Sequence, residues 1–303
     1  MSDGLRLTIM LVRRRLSAKF KQSCRILYFY SNPKKQTVKK YYLLFLPFLA
    51  SSCVVTRSFN AAGNPVVAHR GAFKKNNLPE NSIASLKEAI RLGCTGSEFD
   101  IRMTADDSLI INHDPQYNKL DIEKTSYADL IKTPLSNGEK LPTLAEYITA
   151  GMAANTTTRL VFEIKPSGIS RQRAIAVTDK VIAMVRRFKV QRMAVYISFD
   201  YDVCKKVHEL EPKAPVQYLN GDIAPAQLRK DGISGADYHY SVFTKNPGWI
   251  KEAKDNKIAL NAWTVNKKED MEWLLKEGFN FITTNEPELL LDIVRAAGKN
   301  SSK

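Results

Sequence analysis

Residues 66–102, VVAHRGAFKKNNLPENSIASLKEAIRLGCTGSEFDIR, contain two short apolar runs separated by a segment of helical character. The runs at 66–69 and 97–102 are predicted strands, and 82–92 is a predicted helix. Two strands joined by a helix are typical of parallel pairing, because the chain must cross back before the second strand begins. The stretch therefore predicts one β-α-β unit of an α/β fold.

The same alternation continues along the chain and gives eight predicted strands and eight predicted helices over about 235 residues. The further strands are 160–164, 194–198, 216–219, 236–240, 259–264 and 281–283, and the further helices are 144–153, 171–189, 202–210, 225–230, 247–256, 268–277 and 287–297. Eight such units predict a (β/α)8 TIM barrel. A doubly wound sheet is the alternative, but it does not require eight units, and no Gly-x-Gly-x-x-Gly motif follows the first strand.

A segment of about 55 residues, 103–159, separates the second and third predicted strands. It predicts a short insertion with a hairpin at 106–112 and a helical turn at 126–131, followed by an N-cap at Thr143 for the next barrel helix. Long loops in compact domains are usually functional, so we expect this insertion to cover part of the barrel mouth.

The formal charge of +15 is concentrated in residues 1–58, which hold twelve Lys and Arg residues and one acid, Asp3. The remaining 245 residues hold 34 basic and 30 acidic residues, so the body of the protein is nearly balanced. Nucleic-acid binding would require basic and aromatic residues interleaved in the body, and the body lacks that pattern. We therefore expect no nucleic-acid partner.

The N-terminal region contains the pattern of a secretory signal. Lys39-Lys40 precedes an apolar run of about ten residues, too short for a bilayer span of about 20, and then Leu49-Ala50-Ser51-Ser52-Cys53. A cysteine after small residues resembles a bacterial lipoprotein signal, in which Cys53 would be the lipidated first residue. Plain secretion or an uncleaved anchor, with Cys53 incidental, is the alternative.

These patterns predict a layout for the whole chain. We expect residues 1–37 to be an over-extended or disordered basic start, with translation beginning at Val38; a genuine basic cytoplasmic extension is the alternative. The expected parts are a signal at 38–53, a linker at 54–64, a barrel at 65–298 and a tail at 299–303. A lipidated Cys53 would anchor the protein to the membrane of a bacterial cell envelope, facing the periplasm or the exterior. Nothing in the sequence predicts the oligomeric state.

Polar side chains end the first three predicted strands, the place where TIM-barrel enzymes keep their catalytic groups. These residues are His69, Arg70, Glu98, Asp100, His113 (after the hairpin), Glu163 and Lys165. Residues two apart on a strand share a face, so Glu98 and Asp100 point together, as do Glu163 and Lys165. Three inward carboxylates repel one another unless a cation neutralises them, and oxygen ligands favour one divalent cation, Mg²⁺ or Ca²⁺. Salt bridges to Arg70, Arg102 and Lys165 are the alternative.

His69 and His113 are candidates for a general acid and base, because imidazole titrates closest to neutral pH. Arg70 and Lys165 are candidates for phosphate contacts, since flanking cations help to neutralise a phosphoryl group in transfer. Phe199 and Tyr218 end the fourth and fifth predicted strands, and we expect both to line the pocket.

Seven motifs, in order along the chain, resemble those of the glycerophosphodiester phosphodiesterase family. They are His69-Arg70-Gly71, Pro79-Glu80-Asn81-Ser82, Glu98-Phe99-Asp100, His113-Asp114, Phe162-Glu163-Ile164-Lys165, Trp263-Thr264-Val265-Asn266 and Thr283-Thr284-Asn285-Glu286-Pro287. The resemblance covers essentially Pro65 to the last helix. It implies a TIM barrel that hydrolyses the phosphodiester of deacylated phospholipids to sn-glycerol 3-phosphate and an alcohol.

The resemblance also implies residue roles. His69 and His113 would be the acid–base pair, and the metal would be held by Glu98, Asp100 and Glu163. Glu80 and Asn81 would shape the mouth, Lys165 would neutralise the phosphate, and Trp263 would form an aromatic wall for the glycerol moiety. Ser82, Asp107 and Asn280 depart from the family pattern, but none of them removes a proposed catalytic group.

Three questions stay open at the level of the sequence. The nucleophile is either water or the adjacent glycerol hydroxyl, which would give a cyclic phosphate. A phospholipase-D-like hydrolysis of lysophospholipid at a membrane surface would use the same residues and would require an apolar collar around the mouth. A non-catalytic phosphodiester-binding lipoprotein would require a missing catalytic residue, and none is missing.

Overall fold

The computed structural model describes residues 62–300. Its strands are β1 (Val66–Ala68), β2 (Gly96–Met103), β3 (Leu109–Ile111), β4 (Gln116–Tyr117), β5 (Leu120–Asp121), β6 (Arg159–Ile164), β7 (Ala194–Ser198), β8 (Val216–Tyr218), β9 (Gly235–His239), β10 (Ala259–Trp263) and β11 (Phe281–Thr284). Its α-helices are α1 (Ile83–Leu92), α2 (Tyr127–Leu130), α3 (Leu144–Met152), α4 (Arg171–Phe188), α5 (Tyr201–Leu210), α6 (Pro225–Lys230), α7 (Tyr240–Lys245), α8 (Gly248–Asp255), α9 (Lys268–Lys276) and α10 (Pro287–Asn300).

The sheet closes into a barrel of eight parallel strands, in the order β1, β2, β6, β7, β8, β9, β10 and β11. Closure comes from β1, which pairs in parallel with β11 on one side and with β2 on the other. Helices lie between successive barrel strands, as the alternating sequence predicts. The TIM-barrel prediction is therefore confirmed. A doubly wound sheet is excluded because it is open and has two edge strands, whereas each of these eight strands pairs with a neighbour on both sides.

The first crossover shows how the local sequence sets the helix ends. The Ser82 hydroxyl accepts a hydrogen bond from the Ser85 N–H and caps α1, while Gly93 ends it with a left-handed φ of 76°. At α3, Thr143 and Glu146 form a capping box, so the predicted N-cap is confirmed.

Strand residues alternate between the surrounding helices and the barrel interior, because successive side chains point to opposite faces of a strand. The inward apolar residues form a small cluster made of Val67, Val161, Val195, Ile197 and Leu219. Val67 is two residues before His69, and Val161 is two residues before Glu163. This apolar layer therefore lies directly beneath the polar mouth.

The predicted insertion between β2 and β6 is present and has its own small core. β3 pairs antiparallel with β2, which confirms the hairpin, and α2 is the predicted helical turn. The two-stranded ribbon of β4 and β5 was not predicted. Glu123 fastens the insertion to the loop after β6, because its carboxylate accepts hydrogen bonds from the Ser167 hydroxyl at 2.6 Å and the Gly168 N–H at 2.8 Å.

Three details differ from the sequence prediction or extend it. The sixth barrel strand ends at His239 rather than at Tyr240, because the His239 ring accepts a hydrogen bond from the Ser241 N–H and α7, a helix that was not predicted, starts there. The last helix, α10, runs to Asn300, past its predicted end at 297. Over residues 62–300, no helix combines the length and apolar character needed to cross a bilayer.

Candidate active site

One pocket at the C-terminal mouth of the barrel collects most of the predicted site residues. Its cavity measures about 100 Å³ and opens to solvent. The predicted residues that line it are His69, Arg70, Glu98, His113, Glu163, Lys165, Phe199 and Trp263.

Three buried carboxylates lie at the edge of this pocket. Asp100 on β2 is the register partner of Glu163 on β6, and Glu98 is two residues before Asp100 on the same face. One carboxylate oxygen from each of the three lies within 4.8 Å of the others. Glu98 Oε1 has no hydrogen-bond partner among the described residues. A buried oxygen of this kind, together with two more carboxylates at this spacing, fits a hard divalent cation.

The charges of the three carboxylates are strongly perturbed. Burial, followed by the neighbouring Asp100 and Glu163, raises the pKa of Glu98 well above its usual range. Burial and then Asp100 raise the pKa of Glu163 to about 7. Burial acts in the same direction on Asp100, but Lys165 outweighs it, and the pKa of Asp100 falls to about 2. A cation held by these carboxylates would lower the pKa of Glu98 and Glu163, because it would stabilise their charged forms.

Lys165 forms a salt bridge with two of the three carboxylates. Its Nζ lies 2.8 Å from Asp100 Oδ1 and 2.5 Å from Glu163 Oε1, and the side chain is only 7% exposed. The three carboxylates therefore cluster as predicted, and two of them also form the alternative salt bridges with Lys165. Arg102 behaves differently, because its guanidinium donates to the His113 main-chain carbonyl at 2.6 and 2.9 Å.

The turn after β1 aims a backbone donor at the cluster. Arg70 has a left-handed φ of 54°, and its N–H donates to Glu98 Oε2 at 2.8 Å. Its side chain reaches Glu80 Oε1 at 2.7 Å and Asp100 Oδ2 at 3.5 Å. Gly71 follows with φ 79°, and a Cβ on it would come within 2.4 Å of Ser85 Oγ. The turn therefore depends on glycine at this position.

Asn81 and Glu80 act behind the pocket wall rather than on it. Asn81 is buried, its amide group donates to Asp100 Oδ2 at 2.7 Å, and its side-chain oxygen accepts from the Asp100 N–H at 3.2 Å. Glu80 is exposed and pairs with Arg70. Neither residue lines the pocket. Asn81 contacts Asp100 and Glu80 contacts Arg70, and the role in shaping the mouth that the resemblance implies for them stays a prediction.

His69 directs one ring nitrogen toward the carboxylates. Its Nδ1 lies 2.7 Å from the Asn285 side-chain oxygen, which can only accept, so Nδ1 carries the hydrogen. Nε2 is then the bare nitrogen of the neutral ring, 3.9 Å from Glu98 Oε2. Burial, followed by the charge of Arg70, lowers the pKa of His69 to about 4. The ring is therefore neutral near pH 7 and can accept a proton.

His113 comes from the insertion and lies at the pocket rim. Its Nδ1 is 2.8 Å from Asp114 Oδ1, and its side chain is 37% exposed. The main chain next to it is fixed by the Asn112 N–H, which donates to the Asp100 carbonyl at 3.0 Å, and by Arg102. The expectation that the insertion covers part of the mouth is met at this point, since His113 is the residue through which the insertion reaches the pocket.

The opposite wall is apolar. Phe199 and Trp263 meet edge to face, with ring centroids 5.3 Å apart, and Ile197 and Leu219 lie beside them. The Trp263 indole N–H donates to the Asp237 main-chain carbonyl at 2.9 Å, which fixes the ring. Both predicted aromatic wall residues are therefore in the pocket.

Tyr218 is a correction. It is buried against Tyr201 and Tyr238, at centroid distances of 4.8 and 6.2 Å, in the core between strands and helices. Leu219, the next residue, faces the interior instead. The prediction that Tyr218 lines the pocket is wrong because a strand-end residue reaches the lumen only when its parity along the strand points inward.

Two further residues belong to the site and were missed. Asp237 on β9 lines the pocket at 1% exposure, and burial, with Glu163 as the next cause, raises its pKa well above the usual range. Asn285 fixes the His69 ring. Asn285 lies in the last of the seven motifs. Asp237 is two residues before His239 at the end of the same strand, and this spacing indicates that its side chain faces the barrel interior.

The fold and the site together define a TIM-barrel enzyme of phosphodiester chemistry. The model of the glycerophosphoryl diester phosphodiesterase family matches residues 69–289, well over half of the chain. The chain therefore belongs to the glycerophosphodiester phosphodiesterase family and is a phosphoric diester hydrolase.

Known proteins of this family resemble the chain over the barrel. A glycerophosphodiester phosphodiesterase of Caldanaerobacter subterraneus subsp. tengcongensis is 29% identical over 249 residues, which are 77% of this chain and 98% of the relative. The crystal structure of one from Parabacteroides distasonis is 38% identical, has a TM-score of 0.75, and covers 79% of this chain and 100% of its own.

A third structure, from Oleispira antarctica, is a phosphodiesterase in complex with the product sn-glycerol-3-phosphate. It is 21% identical, has a TM-score of 0.66, and covers 78% of this chain and 100% of its own. At that identity the likeness shows the shared fold.

Proposed function

We propose that the protein hydrolyses glycerophosphodiesters to sn-glycerol 3-phosphate and an alcohol, with one divalent cation and with His69 and His113 as the acid–base pair. The observation that carries the proposal is a cluster of three buried carboxylates beside one pocket, which Glu98 and Glu163 line together with two histidines. The product bound by the Oleispira antarctica relative supports the substrate class.

Glu98, Asp100 and Glu163 would hold the cation, which is Mg²⁺ or Ca²⁺ because every ligand is a carboxylate oxygen. When bound, the cation supplies positive charge at the non-bridging oxygens of the phosphodiester. Arg70 and Lys165 lie at the same edge of the pocket and add cationic groups that stabilise the charge of the phosphoryl group.

The histidines differ in a way that suits proton transfer. His69 is neutral, fixed by Asn285, and presents a bare Nε2 that can accept a proton from the nucleophile. His113 lies at the open rim beside Asp114, within reach of a leaving alcohol that departs toward solvent. The nucleophile is water or the adjacent glycerol hydroxyl, and release of a cyclic phosphate would identify the second.

A panel assay tests this function. The protein is incubated with glycerophosphocholine, -ethanolamine, -glycerol and -inositol in Mg²⁺, Ca²⁺ or EDTA, and glycerol phosphate and alcohol are measured. We expect release that EDTA abolishes and that His69→Ala and His113→Ala each lower by about 10²-fold or more. His208→Ala, on α5 and outside the pocket, is the matched control. Full activity in EDTA would refute the metal, and full activity in either pocket variant would refute that histidine's role.

Hydrolysis of lysophospholipid is the competing outcome of the same assay. Large apolar side chains exposed in the described part of the chain include Leu120 on the insertion at 40% and Ile169 after β6 at 54%. Lysophosphatidylcholine is therefore added to the panel, and a higher kcat/KM for it than for glycerophosphocholine would reassign the substrate.

We also propose that Cys53 is lipidated and tethers the barrel to a bacterial cell envelope. The support is the signal-like pattern at 38–53; Cys53 and most of the linker at 54–64 lie outside the described residues. The layout of start, signal, linker, barrel at 65–298 and tail belongs to the same proposal.

Fractionation tests the tether. Wild type is expected in the membrane fraction and Cys53→Ser in the soluble fraction, with an acylated N-terminal peptide found only in wild type. An unmodified Cys53 in the mature protein would refute lipidation, and native peptides from residues 1–37 would refute a start at Val38.

A further inference from the structure

The floor of the pocket contains a polar group that the proposed chemistry does not use. Asp237 is 1% exposed and lines the pocket, and its Oδ1 has no hydrogen-bond partner in the described part of the chain. Its register partner on β10 is Asn261, so both side chains point into the barrel. A buried carboxyl group without a partner is rare in native proteins, because it has lost the water that solvated it.

The neighbouring polar groups on the floor are already satisfied. The Thr283 hydroxyl donates to the Asn261 side-chain oxygen at 3.2 Å, and the Asn261 amide group donates to Gln217 at 3.2 Å. The Trp263 indole uses the main-chain carbonyl of Asp237 and leaves the side chain alone. Asp237 is thus the acceptor on the floor that a ligand can still engage.

The two ends of the pocket suit different parts of a phosphodiester. The carboxylate cluster holds the phosphate in the proposed function, so one substituent extends toward the open rim near His113 and the other toward the closed floor. An alcohol of variable size requires the open end. The glycerol, which has a fixed size and carries hydroxyl groups, fits the closed end between the aromatic wall and Asp237.

We propose that Asp237 hydrogen-bonds the terminal hydroxyl of the substrate's glycerol and thereby selects deacylated diesters. This inference rests on the proposed function. An acyl chain on that hydroxyl removes the O–H donor and adds a chain that the closed floor has no room to extend. Asp237 is therefore a specificity residue, and the preferred substrates carry a free glycerol hydroxyl.

Product binding tests the assignment without requiring turnover. Titration calorimetry with Mg²⁺ or Ca²⁺ present compares sn-glycerol 3-phosphate with 1,2-propanediol 1-phosphate, which lacks only the terminal hydroxyl. Wild type is expected to prefer the glycerol compound by about tenfold, the upper end of the range for one hydrogen bond to an uncharged group. Asp237→Ala should reduce the preference to within about threefold, and Asp237→Asn, which can still hydrogen-bond, should lie between.

Controls separate this role from a structural one. Thr283→Val removes a floor hydroxyl that already bonds Asn261, and the preference should stay within about threefold of wild type. An Asp237→Ala variant that loses both ligands equally, or one that keeps the wild-type preference, would overturn the inference. If discrimination is found but glycerophosphocholine is not hydrolysed, the proposed function fails while Asp237 keeps its assignment.

Discussion

The two sides of the pocket are built on opposite principles. The side formed by β1, β2 and β6 carries three carboxylates, two positively charged side chains and a histidine. Hydrogen bonds with Asn81 and Asn285 orient two of these groups, Asp100 and His69. The side formed by β7 to β10 is apolar and aromatic, with Asp237 as its buried carboxyl group. The charged side is suited to chemistry and the apolar side to recognition, so substitutions on the two should affect different kinetic constants.

The largest effect is expected at the centre of the charged side. Asp100→Asn and Glu98→Gln each remove a carboxylate that we propose as a cation ligand, and activity should fall by about 10³-fold or more. Metal affinity, measured by calorimetry, should fall in parallel. Glu88→Gln, on the exposed Arg91 pair of α1, is the control. Unchanged metal affinity in both ligand variants would show that the cluster is not the cation site.

A smaller loss is expected one step away from the ligands. Asn81→Ala leaves all three carboxylates in place but removes the two hydrogen bonds between Asn81 and Asp100. Such changes typically cost about 10- to 100-fold in metal affinity or activity. Asn81→Asp keeps the shape but adds a charge next to Asp100 and should not restore function. If Asn81→Ala were as active as wild type, Asn81 would have no role in orienting Asp100 for catalysis.

On the apolar side the expected effect is modest and of another kind. Phe199→Leu keeps an apolar surface but loses the edge-to-face contact with Trp263, so KM for glycerophosphocholine should rise about three- to tenfold while kcat changes less than threefold. Initial-rate kinetics under saturating cation measure both constants. A fall in kcat with KM unchanged would place Phe199 with the chemistry and erase the contrast between the sides.

The smallest effect is a gain in stability. Burial raises the pKa of Asp237, so the folded protein binds its proton more tightly than the unfolded chain, whose Asp has a pKa of about 3.9. The free energy of unfolding of the wild type therefore decreases as the pH rises above that value, and this decrease is absent at pH 3. Asp237→Asn should match wild type at pH 3 and exceed it at pH 7 by about 1 kcal/mol in free energy of unfolding, measured by urea denaturation in EDTA. A constant difference across pH would contradict the raised pKa.

The same contrast explains what the sequence could predict. Period-two spacing and strand alternation were sufficient for the barrel, for the shared face of Glu98 and Asp100, and for the hairpin before His113. The prediction for Tyr218 was wrong and Asp237 was not predicted, because the direction of each side chain depends on its position along the strand: Leu219 and Asp237 face the pocket, whereas Tyr218 faces the surrounding helices. The partners of Asp100 and His69 depend on contacts between distant segments, such as Asn285 with His69, which no local pattern contains.

The attachment of the insertion has a consequence for how this enzyme could diversify. Glu123 joins the insertion to the loop after β6, and Arg173 donates to both Glu123 and the Thr104 carbonyl, so the segment is clamped at its base. Its hydrophobic residues form a core of their own, and it reaches the pocket through His113. The insertion is thus a unit with its own core and its own attachment. If the proposed function holds, we expect changes within this unit to alter the leaving-alcohol side of the pocket while the proposed cation ligands on β2 and β6 stay in place.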